Sequence, residues 1–140
     1  MLKAVLDTVV FVRALINPDS QCGRVVFEHF DKYRLFVSKE ILEEILEVFR
    51  RPELTSKFQT LVELDVTRVL AILGSAEAVD GLAVERGSRD PGDDKFLGAA
   101  DAVQADYLIS EDQDLRVLAQ YAGTKIVGCE EFLKVLERPS

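Results

Sequence analysis

A stretch at residues 90–115 (DPGDDKFLGAADAVQADYLISEDQDL) begins and ends with acidic side chains. Those acids are Asp90, Asp93, Asp94, Glu111, Asp112 and Asp114. Between them, the small-residue segment Lys95–Gln104 predicts a closely packed helix, and Tyr107–Ile109 predicts a short buried strand. If that helix and strand are neighbours, both acidic clusters reach one edge of the molecule. Carboxylates gathered there repel one another, and Mg²⁺ or Mn²⁺, which prefer hard oxygen ligands, would compensate their charge.

Two acids from the first third of the chain are expected at the same edge. Asp7 directly follows Lys3–Leu6, a short apolar-rich run that predicts the first strand. Glu44 belongs to a helix predicted over Lys39–Arg50, where it lies nearest the margin of the apolar face. It is therefore the glutamate of this helix best placed to reach a shared crevice.

Short apolar strands that alternate with helices predict an α/β fold, specifically a three-layer α/β/α sandwich with a central, mostly parallel sheet. A helical pair is predicted around Leu54–Ala78. The predicted strands are Lys3–Leu6, Arg34–Val37, Leu82–Val84, Tyr107–Ile109 and Lys125–Val127. In a parallel sheet the carboxyl ends of the strands share one edge, where ligands bind, so acids far apart in the sequence can meet there.

Length and composition indicate one folded, soluble domain over residues 1–140. The chain is 48% apolar and 30% charged, and no apolar run approaches the roughly 20 residues that span a bilayer. Asp7 interrupts the N-terminal pattern that a signal peptide requires. The spacing of Cys22 and Cys129 is not that of a metal site. We expect both to be reduced packing residues, as in a cytoplasmic protein.

Several classes of mechanism are excluded or disfavoured. A net charge of −8 argues against binding nucleic acid by bulk positive charge, although metal ions could still meet the phosphates. The chain has one histidine, His29, which is predicted at the surface or half-buried in a helix. A zinc site of several histidines is therefore impossible, and a Ser/His/Asp triad would depend on His29 alone. The glycine-rich loops of dinucleotide and P-loop sites are missing.

Two other acid-based chemistries lack a required residue. A phosphatase of the haloacid dehalogenase type needs a second aspartate two positions after the first, where this chain has Val9. A receiver-like signalling domain needs paired acids after the first strand, and these are also missing. An all-carboxylate site for Mg²⁺ or Mn²⁺ remains, and it could activate water against a phosphodiester without a histidine. Asp94 or Asp112 taken singly is more often only a helix N-cap, so the argument depends on the joint pattern.

Four segments, in order LDTVVFVRAL, SKEILEEILEVFRRPE, RDPGDDKFLGAA and ADYLISEDQDL, extend over nearly the whole chain. In this order and spacing they resemble the PIN-domain family of metal-dependent ribonucleases, especially its toxins of toxin–antitoxin pairs. The resemblance implies a PIN-like, 5′-nuclease-like fold. The implied metal-binding and catalytic acids are Asp7, Glu44, Asp94 and Asp112. The implied supporting residues are Thr8, Asp93, Ser110 and Asp114.

Either Asp93 or Asp94 could be the third acid. Asp94 is favoured because its spacing along the sequence from Ser110 and Asp112 fits the family pattern. The resemblance further implies an Mg²⁺- or Mn²⁺-dependent endoribonuclease that cleaves single-stranded RNA. A homodimer and a small antitoxin partner are also implied. The family commonly has Asn two places after the first acid, where Val9 has no hydrogen-bonding side chain. The alternatives are therefore a weak or inactive PIN module that binds RNA or a protein, and the receiver-like domain.

Overall fold

The computed structural model describes residues 1–51, 61–84, 87 and 90–138. Within these ranges six strands form one sheet in the order β3-β2-β1-β4-β6-β5. The strands are β1 (Leu2–Leu6), β2 (Tyr33–Ser38), β3 (Glu77–Val79), β4 (Tyr107–Ile109), β5 (Gln120–Tyr121) and β6 (Thr124–Val127). Neighbouring strands are parallel except for the β5–β6 pair. The predicted α/β fold with a mostly parallel sheet is confirmed.

Helices lie between consecutive strands except β5 and β6, and the last helix follows β6. They are α1 (Thr8–Ile16), α2 (Gln21–Gly23), α3 (Lys39–Phe49), α4 (Leu61–Ser75), α5 (Asp94–Val103), α6 (Gln113–Arg116) and α7 (Cys129–Leu136). A π-helical turn (Arg24–Glu28) continues α2, and 3₁₀ turns cover Phe30–Lys32 and Pro91–Asp93. None of the helices in the described ranges is both long and apolar enough to cross a membrane.

The central strands are covered on both faces. Ala4, Val5 and Leu6 of β1 are at most 1% exposed, and Leu108 and Ile109 of β4 are fully buried. Because successive side chains of a strand point to opposite faces, consecutive buried residues require helices on both sides of the sheet. The layers are therefore helix, sheet and helix.

The chain changes direction across the sheet at β1. Strand β1 pairs with β2 on one side and with β4 on the other, so the connections that follow β1 and β4 run in opposite directions across the sheet. The Asp7 backbone N–H donates to the Ile109 carbonyl at 3.0 Å, which places the first residues beyond β1 and β4 side by side. Such switch points of parallel sheets are the places where ligands bind.

The predicted third strand at Leu82–Val84 was wrong. The strand lies at Glu77–Val79, where it pairs in parallel with β2, and Arg34 of β2 donates two hydrogen bonds to Glu77 at 2.7 and 2.6 Å. The helix before it ends at Ser75, before the predicted limit of Ala78, and residues 52–60 of the predicted helical pair lie outside the described residues. A three-residue edge strand with a glutamate carries too little apolar pattern to be recognised.

The segment around Leu82 packs on α5. The Leu82 N–H donates to the Gly98 carbonyl at 3.1 Å, and a Cβ atom at Gly98 would lie only 2.2 Å from the Leu82 carbonyl oxygen. We expect Gly98→Ala to lower the free energy of unfolding by about 1–3 kcal/mol, because backbone must shift to admit the methyl group. Urea unfolding monitored by circular dichroism measures this change.

Gly74→Ala is the matched control for that substitution. Gly74 lies in α4, is exposed, and has no atom within 4 Å of its added Cβ. Alanine should therefore raise the free energy of unfolding by about 0.5–1 kcal/mol through its better helix propensity. Equal effects of the two substitutions would contradict close packing at Gly98.

Candidate metal centre

Asp7 is a buried carboxylate at the carboxyl end of β1. It is 3% exposed, its Oδ1 accepts from the Val9 N–H at 2.8 Å, and its Oδ2 accepts from the Ser110 hydroxyl at 2.6 Å. Burial raises the pKa of Asp7, the two hydrogen bonds lower it, and the charges of Asp112 and Glu44 raise it again. The net effect is a raised pKa, so the hydrogen bonds do not offset desolvation and the neighbouring acids.

Ser110 links the ends of two strands. It directly follows β4 and is fully buried. Its hydroxyl donates to Asp7 and accepts the backbone N–H of Asp112 at 3.0 Å. Asp112 in turn caps α6 by accepting the Asp114 N–H at 2.9 Å. One hydroxyl group therefore joins the Asp7 carboxylate to the backbone of Asp112, 105 positions away in the chain.

Asp93 is the acid of the Pro91–Asp93 turn that meets Asp7 and Asp112. Desolvation raises the pKa of Asp93 to about 7, together with the charges of Asp112, Asp7 and Asp90 and a hydrogen bond with the Asp112 side chain. The Asp93 side chain therefore contacts Asp112 and lies close enough to Asp7 and Asp90 for their charges to act on it.

Asp94, the third acid favoured by the sequence, is placed differently. It is the first residue of α5 and lines a cavity of about 280 Å³ together with Glu40, Lys95 and residues 81–84. One oxygen of its carboxylate lies against Gly87, where a Cβ atom would be 2.0 Å away. The structure therefore brings Asp93 to the acids at the sheet edge and turns Asp94 toward this neighbouring cavity.

Asp90 and Asp114 extend the acidic group. A carboxylate oxygen from each of Asp90, Asp93 and Asp114 lies within 4.8 Å of the other two. Asp90 was not among the predicted site residues, although it belongs to the acidic cluster that opens the stretch at residues 90–115. Asp114, which the family resemblance implies as a supporting residue, lies in this acidic group.

Glu44 reaches the site from α3 with a positive charge beside it. Its Oε2 accepts a hydrogen bond from the Thr8 hydroxyl, and its Oε1 accepts from the Lys95 ammonium group at 2.8 Å. The side chains of Glu44 and Lys95 are 31% and 24% exposed. Sequence reasoning missed Lys95, whose only signal was a basic residue in the first turn of an otherwise acidic helix start. Lys95 balances the charge of Glu44, whereas burial and the charges of Asp112 and Asp7 raise the pKa of Asp93.

These donors fit Mg²⁺ or Mn²⁺. All are hard carboxylate oxygens, and a divalent cation would offset the repulsion that, in addition to burial, raises the pKa values of Asp7 and Asp93. His29 takes no part in this group. It is buried, which corrects its predicted surface or half-buried position, and its Nε2 lies 3.1 Å from a Glu137 carboxylate oxygen.

The sequence model of the PIN domain family matches residues 3–114. The chain belongs to the PIN-domain family. PIN domains are typically nucleases that use divalent metal ions, and the family assignment removes the receiver-like alternative. In this PIN domain, Val9 occupies the position where the family commonly has Asn. Val9 lies on α1 and is 38% exposed, and its backbone N–H donates a hydrogen bond to the Asp7 carboxylate.

Two solved structures support the fold. PAE2754 from Pyrobaculum aerophilum aligns with a TM-score of 0.61 and 15% identity, covering 96% of this PIN domain and 89% of that chain. VapBC2 from Rickettsia felis, bound to a DNA fragment from its promoter, aligns with a TM-score of 0.58 and 14% identity, covering 91% and 98%. A search of curated proteins finds no match. At these identities the structures establish a shared PIN fold.

Proposed function

We propose that this PIN domain is an Mg²⁺- or Mn²⁺-dependent endoribonuclease that hydrolyses phosphodiester bonds of single-stranded RNA. The observation that carries the proposal is the meeting of Asp7, Asp93 and Asp112 at the carboxyl edge of the sheet, where Ser110 fixes two of them. Their mutual repulsion in a partly buried site is the electrostatic setting that a divalent cation would relieve.

Asp7, Asp93 and Asp112 would hold the ion, with Glu44 beside them. The ion would supply activation of water and neutralisation of charge on the phosphodiester. Ser110 keeps Asp7 and Asp112 oriented as ligands, and burial of Asp7 excludes bulk water from one side of the site. We assign to Asp93 the role that the family resemblance had favoured for Asp94, because its side chain meets Asp112.

Lys95 supplies the positive charge closest to Glu44. Its ammonium group can donate hydrogen bonds to a phosphate oxygen as well as to Glu44, because an ammonium carries three donors. In a protein of net charge −8, a single well-placed cation matters for binding a polyanion. We assign Lys95 to substrate binding beside the acids.

We further propose that the protein is the toxin of a toxin–antitoxin pair, a homodimer neutralised by a small antitoxin protein. The fold shared with the VapBC2 structure over 98% of that chain supports this proposal. Co-expression with the product of an adjacent small reading frame tests it, since a true antitoxin should co-purify and suppress RNA cleavage. Cleavage unchanged by that product would speak against the pairing.

The nuclease proposal is tested with fluorescently labelled single-stranded RNA, with a duplex of the same sequence as the matched control. Cleavage of the single strand should require Mn²⁺ or Mg²⁺ and stop when EDTA is added. Cleavage that persists in EDTA would contradict a metal-dependent enzyme. Binding of Mn²⁺ and RNA without cleavage would favour the inactive PIN module, the alternative that Val9 in place of Asn suggests.

A further inference from the structure

The sulfur atoms of Cys22 and Cys129 lie against each other in the core. Cys22 belongs to α2 and Cys129 begins α7, and the two residues are 107 positions apart. Their Sγ atoms are 2.8 Å apart, and the residues are 4% and 0% exposed. A disulfide bond is about 2.05 Å long, so this separation lies between a bond and an ordinary sulfur contact. Both cysteines are free thiols in this structure.

Glu111 holds the pair in place. Its Oε1 accepts the Cys129 backbone N–H at 2.8 Å and lies 3.8 Å from the Cys22 sulfur, which can donate to it. Its Oε2 lies 3.8 and 4.0 Å from guanidinium nitrogens of Arg13 and Arg116. The carboxylate is thus compensated by two arginines, and it fixes the start of α7 against α2.

Two thiols and a carboxylate could also hold a zinc ion, but the sulfur separation argues against it. Tetrahedral Zn²⁺ with Zn–S bonds of about 2.3 Å keeps its two sulfurs roughly 3.8 Å apart. The observed 2.8 Å is an ångström shorter. In addition, Arg13 and Arg116 already compensate Glu111, and they would repel a cation.

We propose that Cys22 and Cys129 form a reversible intramolecular disulfide by exchange with a small-molecule disulfide such as oxidised glutathione. Cys22 reacts first, because it lines a cavity of about 260 Å³ with Arg13, Asn17 and Glu111, whereas Cys129 is fully buried. The crosslink joins α2 to α7. It lies next to Glu111, the residue that precedes Asp112 of the candidate metal centre.

The exchange proceeds in two balanced steps. The Cys22 thiolate attacks one sulfur of the reagent, the reagent S–S bond breaks, and one reagent thiolate leaves. The Cys129 thiolate then attacks the Cys22 sulfur and releases the second reagent thiolate. The protein loses two electrons and two protons, and the reagent disulfide becomes two thiols. The hydrogen bond with Cys22 and burial raise the pKa of the Cys129 thiol, so the second step is faster in alkaline buffer.

The experiment equilibrates the folded protein with defined ratios of oxidised and reduced glutathione, followed by alkylation and mass spectrometry. The chain has only two cysteines, so a loss of two hydrogens from a monomer can arise only from this bond. The same chain in denaturant is the matched control. Folding should favour the disulfide by at least about 100-fold over the denatured chain, because it brings together thiols that a long loop otherwise separates.

Equilibrium is approached from both sides, so that burial of the thiols cannot hide the result. One sample starts reduced and folded, and the other is oxidised in denaturant and then refolded. The oxidised protein should melt roughly 10 °C higher than the reduced protein, since the crosslink closes a loop of more than 100 residues. Cys22→Ser and Cys129→Ser should show no shift with oxidant.

Three results would overturn the proposal. The first is an equal preference for the disulfide in the folded and the denatured chain. The second is an oxidised protein that melts below the reduced one, which would mean that the native structure cannot accommodate the bond. The third is stoichiometric binding of Zn²⁺ that both serine variants abolish, which would make the pair a metal site.

Discussion

Asp93→Asn should lower cleavage of single-stranded RNA by about 100-fold or more, because it removes a carboxylate proposed to bind the metal ion, and loss of mere supporting contacts already costs 10–100-fold. Asp93 lies with Asp7 and Asp112, and its pKa is raised by burial and by the charges of these two acids. Initial rates at several Mn²⁺ concentrations measure the effect. The loss should be partly recovered at high Mn²⁺ concentration, as expected of a weakened metal site.

Asp94→Asn is the matched control, since it makes the same chemical change one residue away. Asp94 lines the cavity beside Glu40 and lies against Gly87, so its replacement should reduce the rate by less than about tenfold. Circular dichroism should show both variants folded. If Asp94→Asn lost activity and Asp93→Asn kept it, Asp94 would be the third acid and the proposed ligand set would be wrong.

Millimolar Mn²⁺ should raise the melting temperature of the wild-type protein. A ligand at 100 times its dissociation constant stabilises the folded state by about 2.7 kcal/mol, which corresponds to roughly 10 °C for a chain of this size. The shift should grow with the logarithm of the Mn²⁺ concentration, because the ion binds only where folding brings the carboxylates together. Differential scanning fluorimetry in metal-free buffer with added Mn²⁺ measures it.

Asp93→Asn should change this behaviour in two opposite ways. Without metal the variant should melt above the wild-type protein, because one of several repelling carboxylates is gone. With Mn²⁺ its further gain should be small, because a ligand is missing. Asp94→Asn should keep the wild-type response. An unchanged melting temperature of the wild-type protein in millimolar Mn²⁺ would rule out the metal centre.

The amino-acid sequence by itself determined the kind of fold and the acidic composition of the candidate site. Apolar runs ending at Asp7 and at Ser110 predicted buried strands, and both strands lie in the confirmed, mostly parallel sheet. Such predictions succeed because burial and strand pairing depend on local pattern. The weak case was β3, whose three residues, including Glu77, have too little apolar pattern to mark a strand.

Only the tertiary structure shows that Asp93 and Asp94 have different surroundings. Neighbouring residues near a helix start differ by about 100° in direction, so one step along the chain decides which carboxylate faces the sheet edge. The Pro91–Asp93 turn sets that direction, and no periodicity in the sequence reports it.

Contacts between distant segments were likewise decided only by folding. Lys95 meets Glu44 across 51 positions, and the sulfur atoms of Cys22 and Cys129 meet across 107. A sequence determines which residue types are present and how they are spaced locally. Which of them meet depends on how helices pack against the sheet, and that packing is a property of the whole chain.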